Sequence, residues 1–380
     1  NDWTFKGTGN LKDNGTFLLE THVKDPLRER QLNGRLKVDA INMNWLESFS
    51  TLEEKVEGAL KADLSFAGTL NQPRLLGWVH LDHFRIDSVN FPFEMKPSRL
   101  AMEFSGDRSV LEGKLLTQNG DLFLKGDAHW SAIEDIEAKL NVTSDRIRMM
   151  IPPMASLDVS TDVTAELSSD LLKLDGLIQI PWARVSVTEL PQKVIDVSED
   201  EVRLDQPKSL WSNSRTMPIQ SNLFIDIGND VKVDALGLKA DLAGRLHVIQ
   251  DQNRLGLNGQ IKIPEGEFKA YGQSLEIRKG LLGFSGPMDN PSLDIEAVRS
   301  ANRTADNVTV GVKVNGTAKN PQVTVFSNPS MSQGEALSYL LSGEGLDTSR
   351  ENDSMIASAL FSLGVNQGSR VLNAIGEVIG

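Results

Sequence analysis

The stretch Leu32-Asn33-Gly34-Arg35-Leu36-Lys37-Val38-Asp39-Ala40 decides the fold, because apolar or small residues alternate there with polar ones. Successive side chains of a strand point to opposite faces, so this period gives one apolar face and one wet face. Working outward, the alternation returns in Val56, Gly58, Leu60, Ala62, Leu64 and Phe66 against Glu57, Lys61, Asp63 and Ser65. It returns again in Leu122, Leu124, Gly126, Ala128 and Trp130, then in Ile136, Ala138, Leu140 and Val142. Farther on come Leu238, Ala240, Leu242, Gly244, Leu246 and Val248, then Leu255, Leu257, Gly259, Ile261 and Ile263. Val308, Val310, Val312 and Val314 close the series. A parallel sheet between helices would show continuous apolar runs instead. The pattern therefore predicts a mainly β chain, built as an antiparallel sheet with one exposed face.

Turn signals separate these runs at Asp13-Asn14-Gly15, Gln118-Asn119-Gly120, Gly228-Asn229-Asp230, Asp251-Gln252-Asn253 and Asn315-Gly316. Asn, Asp and Gly tolerate the left-handed backbone that tight hairpins require. A spaced Gly and Pro recur in Gly68…Pro73, Gly286…Pro291 and Gly316…Pro321, each followed by a new apolar strand. Three copies favour a repeating structural unit over generic turns. Helical spacing interrupts the sheet in three places. Asn44 is placed to cap a short helix with Trp45, Phe49, Leu52 and Val56 on one face. Ser332 and Glu335 form a capping box ahead of Leu337, Leu340 and Leu341. Met355, Ile356, Ala359 and Leu360, then Val371, Leu372, Ile375, Val378 and Ile379, fit amphipathic helices. The expected division is a repetitive β array over 1–219, a second β segment over 220–331 and a helical segment over 332–380.

Composition removes several function classes. With 39 basic and 52 acidic residues the net charge is −13, a field that repels nucleic acid. The chain has no cysteine, which excludes thiol chemistry, disulfides and cysteine-type zinc sites. No run of 18 apolar residues is present to span a bilayer as a helix. Of the five histidines, His22, His80, His83, His129 and His247, only His80-Leu81-Asp82-His83 has metal-like spacing. Alternation puts His80 and Asp82 on one face and His83 on the other, so a surface strand is the better reading. Gly283-Phe284-Ser285-Gly286 lacks the second spacer of a nucleophile elbow. Acidic groups such as Glu53-Glu54 and Glu199-Asp200-Glu201 read as solvated surface. No enzyme, metal or cofactor is expected.

The order of several segments resembles one family. Asn44-Trp45-Leu46, Val56-Glu57-Gly58-Ala59-Leu60 and Gly68-Thr69-Leu70-Asn71-Gln72-Pro73 are similar to the repeat of the TamB and wider AsmA-like group. Pro264-Glu265-Gly266-Glu267-Phe268-Lys269-Ala270-Tyr271-Gly272-Gln273 leads into Leu282-Gly283-Phe284-Ser285-Gly286-Pro287 and Asp294-Ile295-Glu296-Ala297-Val298-Arg299. Val310-Gly311-Val312-Lys313-Val314 and Ser330-Met331-Ser332-Gln333-Gly334-Glu335-Ala336-Leu337 complete the order. The resemblance to the TamB C-terminal domain is close over 220–343 and looser from residue 1. It implies a β-taco, a sheet bent along its length into an open U with an apolar interior. It also implies a periplasmic protein anchored in the inner membrane by an N-terminal segment outside this chain, with further strands beyond residue 380. The implied partner is TamA, an outer-membrane barrel, and the implied roles are assembly of outer-membrane proteins such as autotransporters or phospholipid transport.

An apolar sheet face without covering helices must meet another sheet, close into a barrel or hold an apolar ligand. About 20 to 25 strands at ~4.8 Å would make a ribbon on the order of 100 Å long, too many for a compact sandwich. A groove for phospholipid tails is the favoured expectation, lined by Leu36, Val38, Leu60, Leu64, Phe66, Leu122, Leu124, Leu140, Leu242, Leu246, Leu257, Ile261, Ile263, Val310, Val312 and Val314. Docking of unfolded outer-membrane proteins on a sheet edge is the alternative, and a plain adhesin-like repeat protein is a third. The helices with Leu337, Leu340, Leu341, Met355, Ile356, Leu360, Val371, Leu372 and Ile375 are expected to cap the sheet or to gate it beside the partner.

Overall fold

The computed structural model describes residues 2–11, 15–25, 30–44, 55–88, 91–187, 218–235, 237–251, 254–270, 273–299, 304 and 307–345. The first strands are Trp3–Leu11 (β1), Gly15–Lys24 (β2), Gln31–Asn42 (β3), Lys55–Gly68 (β4), Pro73–Asp87 (β5) and Met95–Gly106 (β6). They continue as Arg108–Thr117 (β7), Asp121–Ala132 (β8), Asp135–Ile151 (β9), Ala155–Ser168 (β10), Leu171–Val187 (β11) and Ile219–Ala235 (β12). Then follow Leu238–Asp251 (β13), Arg254–Lys262 (β14), Gly266–Ala270 (β15), Gln273–Gly286 (β16), Ser292–Arg299 (β17), Thr309–Thr317 (β18) and Asn320–Asn328 (β19). A single helix, Gln333–Leu341 (α1), ends the described chain.

The strands form one 19-stranded sheet. Each pairs antiparallel with its chain neighbour, with two departures. β14 and β15 share one place between β13 and β16. β11 and β12 pair parallel, Leu172 opposite Ile219. At ~4.8 Å per step the ribbon runs roughly 80 Å. Substantial packing joins only sheet neighbours, plus α1 against β18 and β19, so no described second layer covers the sheet.

Apart from one at the β8–β9 hairpin, between Trp130 and Ala132, the register irregularities form a row. One lies between Val38 and Ile41 of β3, next to Lys61 of β4. The next, at His83 of β5, faces Gly58 of β4. Its neighbour lies between Lys96 and Arg99 of β6. Leu115 and Leu122 pair regularly and carry the row across β7 and β8. It resumes between Ser144 and Ile147 of β9, Gln179 and Trp182 of β11, and Ile227 and Val231 of β12. It ends at the break between β14 and β15 and between Ile277 and Lys279 of β16. A bulge bends its strand and sharpens its twist, so a row of them creases the sheet along its length. Hydroxyls serve the freed backbone groups there. Ser98 Oγ accepts from Leu116 N–H at 2.8 Å and donates to the Lys96 carbonyl at 2.7 Å. Ser144 Oγ accepts from Thr161 N–H at 3.1 Å.

The helix expected near Asn44 is corrected in part. Val56 belongs to β4, opposite Ile86 of β5, because a cross-strand apolar partner holds the β-branched residue extended. Met43 and Asn44 form only a short 3₁₀ turn, and Trp45, Phe49 and Leu52 lie outside the described residues. Ala40 also departs from the expected alternation. It sits at the first bulge with φ 52°, and Ile41 takes its place on the apolar face.

One carboxylate anchors the crease between β9 and β11. Asp158 is almost wholly buried on the charged face of β10, accepting from Arg148 Nε, from Arg148 Nη2 at 3.1 Å and from Arg146 Nε at 2.6 Å. Arg148 and Arg184 lie over the Trp182 ring, 4.2 and 4.8 Å from its centre. The hydrogen bond from Arg148, opposed by burial and helped by Arg146, holds the Asp158 carboxyl below its usual range. Its stabilising contribution is therefore complete above the unfolded value of about 4 and is lost as pH falls through the lower folded value. Asp158→Ala leaves two arginines without their shared partner and should destabilise the chain by about 3 kcal/mol at pH 7. Urea unfolding should show that deficit shrinking as pH drops below about 4, and a pH-independent deficit would refute the ionic account.

Candidate functional site

Residues directly opposite across a ladder point to the same side of a sheet, so the register carries one face from β1 to β19. Leu36 meets Leu64, Val38 meets Ala62, Leu60 meets Leu81 and Phe66 meets Leu75. Leu122 meets Leu115, Leu124 meets Val142 and Leu140 meets Gly126. Leu242 meets Val231, Leu246 meets Ile225, Leu257 meets Val248 and Ile261 meets Leu282. Val312 meets Ala297, Val314 meets Ile295 and Val310 meets Arg299. Ile263, between β14 and β15, lies against the same face at Gly280, where an added Cβ would come within 2.5 Å of its own. The structure thus places the residues named as the groove lining on one continuous face, while Ala40 leaves it at the first bulge. Gly77 also sits on it, at φ 128° and so close to the Asp63 carbonyl that only a residue without a side chain fits.

The opposite face is a lattice of cross-strand ion pairs. Arg35 grips Asp63, donating from Nη2 at 2.8 Å and from Nε at 3.1 Å. Lys61 and Arg99 hold Asp82 at 3.0 and 3.3 Å. Arg245 pairs with Asp226 and Lys313 with Glu296. Hydrogen bonds from these partners keep the Asp63, Asp82 and Asp226 carboxyls below their usual range. His80 stacks on Trp78 with ring centres 4.3 Å apart, and His83 stands exposed at the β5 bulge. The spacing that looks metal-like is therefore divided among a ring stack, an ion pair and a bulge. Among the described residues no group of three potential ligands gathers.

Burial along the apolar face is uneven. Leu36, Leu60, Phe66, Leu122, Leu124 and Leu140 are half-buried. Toward the other end Val310 is 0% exposed, with Leu275, Ile277 and Ala297 also buried, in a cluster that includes Leu337, Tyr339 and Leu340 of α1. The helix begins as its capping box requires, Glu335 N–H donating to Ser332 Oγ at 3.3 Å. Ala336 through Leu340 are all buried, whereas Leu341 is only half-buried, so its C-terminal half is enclosed rather than laid down on one stripe. Met355, Ile356, Leu360, Val371, Leu372 and Ile375 lie outside the described residues.

One functional candidate escapes the alternation pattern. Arg299 stands on the apolar face, opposite Val310 on β18 and Leu275 on β16. Among the described strands, it is the one charged residue at a paired position of that face. It is buried, and its Nη1 donates to the Leu340 carbonyl at 2.7 Å. The signal is present in the sequence, since Leu293, Ile295 and Ala297 set the parity on which Arg299 falls.

Comparison with known proteins agrees with this geometry. Residues 107–380 match the TamB C-terminal domain, and residues 2–81 match the TamB N-terminal domain. The chain belongs to the TamB family. The translocation and assembly module subunit TamB of Haemophilus influenzae is 37% identical over 393 aligned residues. That alignment covers 100% of this chain and 30% of the relative's length, so the chain spans under a third of that TamB. No helix among the described residues is long and apolar enough to cross a membrane.

The enclosed seat of α1 separates two neighbouring leucines. Leu340→Ser should destabilise the chain by about 2–4 kcal/mol, and Leu341→Ser by clearly less, because the cost follows the buried volume removed. Thermal unfolding of the two variants checks this, and equal losses would mean that α1 is not seated as described.

Proposed function

We propose that this chain is a non-enzymatic part of a periplasmic envelope-biogenesis protein, and that its apolar face conducts phospholipid acyl chains between the inner and outer membranes. The observation that carries the reading is the unbroken apolar face along β2–β9, buried at Val38, Ala62, Leu64, Leu115 and Ile147 and half-buried at Leu36, Leu60, Phe66, Leu122, Leu124 and Leu140, with no described layer packed over it. Such a face has unmet burial, and each methylene taken from water onto it contributes about 0.8 kcal/mol. A tail is thereby held at many points and fixed at none, which suits movement along a track. The row of bulges supports a creased sheet whose two flanks shelter the chains, the arrangement that a β-taco requires. On this reading the protein is tethered to the inner membrane by a segment outside this chain, and it meets TamA at the outer membrane.

The second reading is a scaffold for assembly or secretion of outer-membrane proteins with TamA. Its support is the name of the Haemophilus relative, a translocation and assembly module subunit. An incoming strand would add to a sheet edge by backbone pairing, and would need no continuous apolar face.

Two experiments separate the readings. Leu60→Asp or Leu64→Arg should abolish complementation of a deletion strain under envelope stress at normal protein levels, because an unpaired charge is costly among acyl chains. Changes of Lys61 or Lys313 on the charged face should be tolerated, and equal tolerance of both sets would overturn the conduit. A photo-crosslinking residue at Leu124, Leu242 or Ile261 should capture phospholipid in cells, whereas one at Lys125, Asp241 or Lys262 should not. Capture of nascent outer-membrane proteins in place of lipid would favour the scaffold.

A further inference from the structure

We infer that the edge of β9 over residues 147–151 is a strand-addition site, taking an extended segment of a partner polypeptide whose apolar residues alternate along it and which brings one carboxylate. The site is independent of the conduit reading, because a phospholipid has no backbone to pair. It comes from a step in the sheet. The last pair of β8 with β9 joins Leu122 to Ser144, yet β9 runs on to Ile151, roughly 20 Å farther. Over that length β9 has ladder partners on β10 alone among the described strands. The β7–β8 hairpin closes the foot of the step, where Gly120 lies so near the Arg146 carbonyl that no side chain fits. Above it, Met150 turns its N–H away from β10 and donates to the Pro92 carbonyl at 2.6 Å. Alternate residues of a ladder face the same neighbour, so Arg148 presents its N–H and C=O on that side too. The Pro92 carbonyl thus stands where an added strand would begin to pair.

A cavity of about 870 Å³ lies against this edge, between Met150 and Pro152 on one side and Phe91, Phe93 and Met95 on the other. The two phenylalanine rings are 4.5 Å apart. Sheet edges are commonly blunted by lysine or proline. This one reads Ile147-Arg148-Met149-Met150-Ile151, with Met150 and Ile151 exposed and proline only at Pro152 beyond it. An open edge beside an apolar pocket is the arrangement that strand addition uses: backbone bonds hold the segment and the pocket selects its side chains. Methionines on both walls let the pocket adapt to differing side chains. The charges there are complementary to an acid. Arg85, Lys96, Arg146 and Arg148 stand against Asp87, Glu94 and Asp158, and of the four cations Lys96 alone forms no ion pair with a described residue. In a chain of net charge −13, this patch leaves room for one carboxylate from the partner. Glu94 is tied to the β7–β8 hairpin by Gln118, so an arriving strand need displace only the bond between Pro92 and Met150.

The probe is a short fluorescent peptide in which phenylalanine and valine alternate with threonine and one glutamate. It should bind the whole chain, read by fluorescence anisotropy, and slow hydrogen exchange over residues 145–151 while β1 and β19 stay unchanged. The same peptide methylated on the amides that face β9 should bind roughly tenfold more weakly or worse, since its donors are gone. A version with lysine in place of glutamate should also bind more weakly, and Lys96→Glu should reverse that preference. Met150→Pro removes an edge donor without touching the ladder to β10, and should weaken the parent peptide roughly tenfold. Its urea midpoint shows whether the fold is kept, and the exposed Lys96→Glu stands alone if it is not. Equal binding of the methylated peptide, protection at β1 or β19 in place of 145–151, or no binding at all overturns the inference. Protection of 145–151 that rises with protein concentration without peptide would place a second copy on the edge, and overturns it as well. None of these outcomes bears on lipid capture at Leu124, by which the conduit reading is judged.

Discussion

The whole sheet depends on keeping one face apolar from β1 to β19 while its strands bend. A strand shifted by one residue turns its entire apolar set to the wrong side, and every added strand is a new chance for that error. Most of the bulges pose the same hazard, because a single inserted residue reverses the parity beyond it. In this chain the sequence changes step wherever the ladder does. The apolar series jumps from Val38 to Ile41, from Leu81 to Phe84, from Ser144 to Ile147 and from Ile277 to Gly280, three residues where two are usual. On β12 the jump runs from Ile227 to Val231. The crease and the continuous face are therefore one design. The extra residue bends the strand, and the altered spacing returns the next apolar side chain to its side.

That constraint explains where the charges stand. Exposed cross-strand ion pairs contribute little each, about 0–1 kcal/mol, so the lattice of Arg35–Asp63, Lys61–Asp82 and Arg245–Asp226 is a weak source of stability. Its stronger effect is on register. A slipped strand would bring like charges together on the wet face while burying others on the apolar one. Asp158 differs from these pairs. Buried against Arg146 and Arg148, it ties β10 to β9 where both strands cross the crease.

Much of this was legible in the sequence, because period-two alternation is a local property read one strand at a time. Leu60, Leu64, Leu124 and Val312 needed no partner to reveal their side. The capping box at Ser332 and Glu335 was equally local, and the helix begins there. What failed depends on partners far away in the chain. Ala40 continues the alternation by eye, and only the ladder with β4 shows that Ile41 replaces it. Val56 satisfies a helical spacing and a strand spacing together, and its partner Ile86 decides for the strand. The parallel pairing of β11 with β12 joins Leu172 to Ile219 across a long stretch of chain, and no local pattern encodes it.

The closed end of the face follows from the same physics as the open one. A nine-residue helix is marginal alone in water, so α1 owes its form to the apolar surface beneath it and to its two caps. Ser332 caps the first turn and Ser342 the last, where Arg299, from a strand, also donates to the Leu340 carbonyl. The helix thus behaves toward the sheet as a ligand does, with an apolar body buried on valine and leucine and a polar end held by a guanidinium. At β16–β18 the helix fills apolar surface that the sheet alone would leave open, on Leu275, Ile277, Ala297 and Val310.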